Sequence, residues 1–243
     1  MKDFLQDLVA HTHSLGVLPN IRVETIDNQV LIDAVSDDRH VILKAKTHKQ
    51  INGVSGSFGM NNLHKLDLHL KCPEYKDNAN ISLTLEPRGD QTIPTGIHFQ
   101  NESGDFQNDF RFIHKSLLDM SMKSVDVNIT SWDVEFQPSQ ANIQRFKFQV
   151  SAHTEETFFR VNTTDNNLIF SFGDLNTHAG NFVFQTDITG TIKGNWAWPK
   201  STVLNVLNLD GDKSVKITDK GALQITVDSG ITEYNYLFKA HRI

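Results

Sequence analysis

The sequence predicts an α+β protein built from two copies of one unit, each with two helices packed on antiparallel sheets. Two observations predict this: a stretch that recurs at a fixed separation, and the same order of helical and strand periodicities around each copy. Val23 to Ile32, VETIDNQVLI, reads against Val161 to Phe170, VNTTDNNLIF, at a separation of 138 positions. Each copy is an alternating strand, an Asp-Asn turn and a second apolar strand, which is the composition of a tight hairpin.

The flanking elements follow in the same order. Upstream of the first hairpin, Lys2 to His13 carries Phe4, Leu5, Leu8 and Val9 as a helical stripe. Upstream of the second, Gln140 to Ser151 carries Ile143, Phe146 and Val150 after Pro138-Ser139, a helix-start signal. Downstream, Arg39 to Lys44 aligns with Gly180 to Gln185 at a separation of 141, which a three-residue loop difference accounts for. The same separation pairs Leu63 and Leu66, in a short helix expected over Phe58 to Leu66, with Leu204 and Leu207, in one expected over Pro199 to Leu207.

Strands then follow at Ile81 to Glu86, Gly96 to Gln100 and Phe106 to Ile113 in the first half. In the second half they fall at Val215 to Thr218, Leu223 to Val227 and Tyr234 to Lys239. Between the halves, Lys115 to Phe136 holds Leu117-Leu118-Asp119-Met120 and Val125-Asp126-Val127, too apolar for a free linker. The expected organisation is therefore an N-terminal domain over 1–114, a connector over 115–136 and a C-terminal domain over 137–243.

Composition bounds the function. The chain of 243 residues has 38% hydrophobic and 21% charged residues, enough for real cores. Its single cysteine, Cys72, excludes an internal disulfide framework and a cysteine-rich zinc site, and fits a cytoplasmic location. Acids within the first seven residues are wrong for a secretory signal, and no run approaches the roughly 20 apolar residues of a membrane span, so no membrane association is expected. A net charge of −6 argues against a protein that grips nucleic acid over its whole surface, yet allows one basic face on an otherwise acidic molecule.

A duplicated helix-and-sheet unit with a long connector resembles the two-domain DNA sliding clamps of T4-like bacteriophages, archaea and eukaryotes, the family of proliferating cell nuclear antigen. Locally, Ser36-Asp37-Asp38-Arg39-His40-Val41-Ile42-Leu43 is similar to the family's Ser/Asp-rich turn followed by His-Val and an apolar strand. Asp219 to Val227 and Glu233 to Ala240 look like its final hairpin, with a Tyr-Leu pair at Tyr236-Leu237. The chain departs from cellular clamps in length, over Cys72 to Asn80 and in its lysine-poor helices, so the phage type is the nearer resemblance.

The resemblance implies the DNA-clamp fold and a homotrimeric ring that encircles duplex DNA. It further implies no catalysis and no cofactor, with a replicative DNA polymerase and a clamp loader as partners. The DNA-facing residues would be Lys2, Lys65, Lys71, Arg145, Lys147 and Lys200, on or beside the polar faces of the four helices. The partner-peptide pocket would be His40, Val41, Leu43, Leu117, Leu118, Met120, Gly221, Tyr236 and Phe238. Subunits would meet at Phe106 to Ile113 of one copy and Gly180 to Gln185 of the next, with Phe110, Phe112, Phe182 and Phe184 nearby.

Other signals are weaker. His11 and His13 point to different helix faces with no acid at i+4, so a metal site is not expected. Gly53 to Gly59 lacks the Gly-Lys-Ser/Thr ending of a phosphate loop and reads as a hairpin or loop. No Ser, His and acid set can be singled out. Trp132, Trp196 and Trp198 offer a carbohydrate-binding β-sandwich as the second reading, and a phage structural or assembly protein is the third.

Overall fold

The computed structural model describes residues 1–122, 129–174 and 178–242, and Val125-Asp126-Val127 of the expected connector lie outside the described residues. The chain forms two compact units, Met1–Val125 with Ser229–Tyr234, and Asp126–Asp228 with Asn235–Ile243.

The first unit opens with α1 (Lys2–Thr12), which buries Phe4, Leu5, Leu8 and Val9. Strands β1 (Ile21–Ile26), β2 (Gln29–Val35), β3 (Val41–Thr47) and β4 (Ser57–Met60) follow, then α2 (Leu63–Lys71). Their sheet order is β4-β1-β2-β3. A second sheet is formed by β5 (Asn80–Arg88), β6 (Gln91–Gln100) and β7 (Gln107–Arg111), in that order. A single bridge, Gly59 to Ile113, joins β4 to the residues after β7. Helix α3 (Lys115–Ser121) then packs on β4 through Leu118. A Cβ on Gly59 would stand 2.6 Å from the Leu118 side chain, so only glycine lets α3 approach this closely.

The second unit holds β8 (Val134–Phe136), α4 (Gln140–Ala152), β9 (Phe158–Thr164), β10 (Asn167–Phe172), β11 (Gly180–Gln185) and β12 (Trp196–Pro199). It continues with α5 (Lys200–Leu207), β13 (Asp212–Thr218), β14 (Ala222–Asp228), β15 (Thr232–Lys239) and β16 (His241–Arg242). One sheet runs β11-β10-β9-β12-β16, and the other holds β14, β13 and β8 side by side with the later part of β15. The opening of β15 belongs to the first unit, where His48 N donates to Ile231 O. The core of the second unit is aromatic: Phe146 of α4 contacts Phe159, Phe170, Phe172 and Phe184.

The duplication is confirmed at its most specific point. Asp27 and Asn28 have φ of 49° and 63°, and Asp165 and Asn166 have φ of 49° and 60°, so both hairpins close through two left-handed residues. Asp and Asn tolerate that region better than other non-glycine residues. Replacing Asn28 by glycine should therefore leave thermal stability unchanged or slightly higher, while valine should cost about 1–2 kcal/mol. Thermal unfolding of the two variants measures the difference.

The expected separation of 141 is corrected by the strand registers. Ile21 pairs with Met60 and Phe159 with Trp198, which keeps 138 as far as the fourth strand. Ala34 pairs with Leu43 where Phe172 pairs with Gly180, a partner separation of 137. A bulge between Leu168 and Ile169 supplies the missing residue. The aligned segments share only alternation, which fits several registers equally well.

The expected helices also start late. Ser57–Met60 and Trp196–Pro199 are strands, and α2 begins only after Asn62 takes a left-handed φ of 51°. Hairpin β5–β6 is longer than the apolar runs suggested, because Pro87 and Pro94 lie inside it. The connector contributes α3 and β8.

Candidate functional site

The six cations expected to face DNA divide into two groups. Lys65, Arg145 and Lys147 are exposed on α2 and α4. Lys71 is exposed but reaches Asp67, one turn back, at 2.6 Å. Lys2 is held: its Nζ donates to Tyr75 O at 2.5 Å and Lys76 O at 2.6 Å. Lys200 is only 5% exposed, and its ammonium donates to Val150 O and His153 O at the end of α4. A cation there answers carbonyls that the helix leaves unpaired and the negative end of its dipole. That is a capping position, and the polar-face pattern around Lys200 could not distinguish it from a solvent-facing one.

The residues expected at a partner pocket divide similarly. Leu117 and Met120 lie one turn apart on α3 and are 55% and 74% exposed, while Leu118 between them is buried against Gly59. Asp119 pairs with Arg22 of β1 at 2.7 Å, a tie that holds α3 to the sheet and that sequence reasoning missed. Val41 and Leu43 are buried in β3, and His40 is half-buried at its start. In the second unit Tyr236 and Phe238 are buried, and Gly221 has φ of 85° with the Trp196 ring against it. Trp196 Nε1 donates to Asp219 O and Trp198 is fully buried, so these two rings serve packing and form no exposed sugar platform.

Of the four phenylalanines expected between subunits, Phe110 and Phe184 are buried inside their own units, Phe184 stacked on Phe170 at 4.2 Å. Phe112 and Phe182 are half-buried, and Phe112 stacks on Phe58 at 4.2 Å. Their strands nevertheless lie at the margins of the sheets. Both β7 and β11 end a sheet order, with one strand neighbour each among the described residues.

A buried polar cluster went unread in the sequence. Asp7 accepts from Tyr234 Oη at 2.8 Å and lies 3.1 Å from His11 Nδ1, while the His11 ring stacks on Tyr234 at 4.4 Å. The acid one turn before His11 was available, but a partner 227 positions away was not. Burial pushes the Asp7 carboxyl up, but hydrogen bonds from His11 and Tyr234 and the nearby imidazole outweigh it and hold the carboxyl below its usual value. A depressed carboxyl stabilises the fold at neutral pH, and that contribution disappears as pH falls through the folded-state value. Asp7→Asn should cost about 1–3 kcal/mol at pH 7, and its deficit relative to the parent should shrink below about pH 4. Urea unfolding at several pH values checks this.

Among the described residues, no helix is long and apolar enough to cross a membrane, and no group of three metal-ligating side chains could hold an ion.

No family model matches the sequence, and no curated protein matches it. Solved structures do. PCNA from Thermococcus kodakaraensis, tk0582, is 12% identical over 99% of this chain and 97% of its own, with a TM-score of 0.66. The A. fulgidus PCNA, solved with the C-terminal region of FEN-1 bound, is 9% identical over 100% of this chain and 95% of its own, with a TM-score of 0.68. At such identities the likeness establishes the fold: α+β, and that of PCNA across nearly the whole chain.

Proposed function

We propose that this chain is one subunit of a homotrimeric ring that encloses duplex DNA and holds a replicative polymerase to it, without chemistry of its own. The observation that carries the reading is the likeness to PCNA structures over 99–100% of the chain. The sheet margins support it. In the first unit, β3 is followed in the sheet by a strand from late in the chain. Its counterpart β11 has no such neighbour among the described residues, and neither does β7 on its free side. Unpaired edges invite pairing, and a head-to-tail contact between two different edges closes a ring when its rotation permits.

The chain's departures from cellular clamps in length and over Cys72 to Asn80 favour the phage type of clamp, and a clamp loader would open the ring. Partner peptides dock on α3 through Leu117 and Met120, an exposed apolar pair of the kind that receives peptide anchors. The FEN-1 fragment bound to A. fulgidus PCNA supports such a mode. Leu117→Asp with Met120→Asp should leave folding unchanged and lower polymerase affinity at least tenfold, measured by calorimetry with a polymerase C-terminal peptide.

Sedimentation at micromolar concentration should give three times the 27.5 kDa chain mass, and negative-stain images a six-lobed ring with a hole wide enough for a duplex. A monomer at that concentration would sink the proposal.

A further inference from the structure

The two units cover the same sheet margin differently. After α2 the chain makes an antiparallel meander, β5-β6-β7, and after α5 it makes β13-β14-β15. The outer margin of β13 carries a fourth strand, β8, paired antiparallel with Val134 opposite Ile217, Glu135 opposite Lys216 and Phe136 opposite Val215. Val134, Val215 and Ile217 are buried together on one face, and Glu135 reaches Lys216 at 2.8 Å on the other. The outer margin of β5 has no strand neighbour among the described residues.

That margin retains the features of one that expects a cover. Ile81 and Leu83 lie opposite Phe99 and Ile97, on the face where those two residues are 0% and 1% exposed, yet Ile81 and Leu83 are only half-buried. Residues 80–84 include neither Lys nor Pro, which ordinarily blunt a free edge. Pro87 and the irregularity between Thr84 and Leu85 come only beyond them. The open half of β5 is thus the half that carries Ile81 and Leu83.

We propose that residues 80–84 take an extended segment of a partner protein, added antiparallel as a fourth strand and carrying apolar residues at alternate positions. The chain's own β8 supplies the pattern of the occupant. Trp132, Val134 and Phe136 alternate there with Asp133 and Glu135, and the apolar set is buried or half-buried while both acids are exposed. Main-chain hydrogen bonds give such an added strand its affinity, and its alternate side chains give selectivity. This surface is separate from Leu117 and Met120 of α3. It requires only the fold of the first unit, whether or not the ring forms.

The probe is a synthetic peptide with the sequence of residues 131–137, capped at both ends and added to the intact protein. Amide hydrogen exchange over residues 81–84 should slow roughly tenfold or more at saturation, while exchange in β13, already paired with β8, should not change. Ile81→Lys with Leu83→Lys places charge on the face to be covered, and should weaken binding roughly tenfold or more with an unchanged circular dichroism spectrum. Val134→Pro in the peptide should abolish binding to the parent, a control that does not depend on the folding of any variant. Failure of the parent to bind the peptide at millimolar concentration, or slowed exchange in β13 instead of β5, would overturn the proposal. So would a doubling of the sedimented mass that the two lysines reverse, because β5 would then be paired with a second copy.

Discussion

Phe146→Ala should cost about 3–5 kcal/mol of stability, a large part of the roughly 5–15 kcal/mol that typical domains possess. Phe146 has no solvent exposure, and its ring lies 4.9 Å from Phe159, 5.4 Å from Phe170 and 6.1 Å from both Phe172 and Phe184. Truncation removes the one aromatic group that α4 contributes to this cluster. Four surrounding rings cannot collapse together without leaving their rotamers, so a cavity remains. Phe148, two positions on and 70% exposed, provides the internal control: Phe148→Ala should stay within about 0.5 kcal/mol of the parent. Urea unfolding monitored by circular dichroism compares them. Equal midpoints for the two variants would contradict the assigned burial.

Reversing Lys65, Arg145 and Lys147 to glutamate together should abolish retention on DNA while leaving assembly intact. These three are the exposed cations among the six expected, apart from Lys71, which is paired with Asp67. In the proposed trimer they would number nine, and a phosphate deprived of its cation keeps its condensed counterions, so binding and its salt dependence should both collapse. The expected result is an unchanged sedimentation coefficient with no stimulation of polymerase on primed circular DNA. Lys200→Met should behave differently, lowering thermal stability through the missing cap on α4 before it affects DNA. Retained stimulation by the triple variant would remove these residues from the DNA-facing surface.

What was legible in the sequence was local. The Asp-Asn pairs identify both hairpins because few residues accept two successive left-handed positions, and the stripes of Phe4, Leu5, Leu8 and of Ile143, Phe146 identify two helices. Register was less legible. Alternating strands slide against one another in an alignment, and a bulge such as that at Leu168 leaves no composition signal. Among candidate site residues, the character of a side chain gave its chemistry but not its neighbours. Lys200 and Lys147 both read as basic residues beside a polar helix face, yet one is buried against carbonyls and the other is exposed. The ties of Arg22 to Asp119 and of Asp7 to Tyr234 span 97 and 227 positions, distances at which single-sequence periodicity carries no information.

The placement of Ser229–Tyr234 in the first unit has a consequence for biosynthesis. On a ribosome adding about 5–20 residues per second, everything up to Val125 emerges on the order of five seconds or more before Tyr234 does. Throughout that interval Asp7 lacks the phenol that it accepts from, His11 lacks its stacking ring, and the margin of β3 is bare. The first half to be translated is therefore among the last to be completed. A nascent chain that stalls before Ser229 exposes an unpaired strand edge, open to pairing with another chain, and leaves the Asp7 carboxylate without one of its donors.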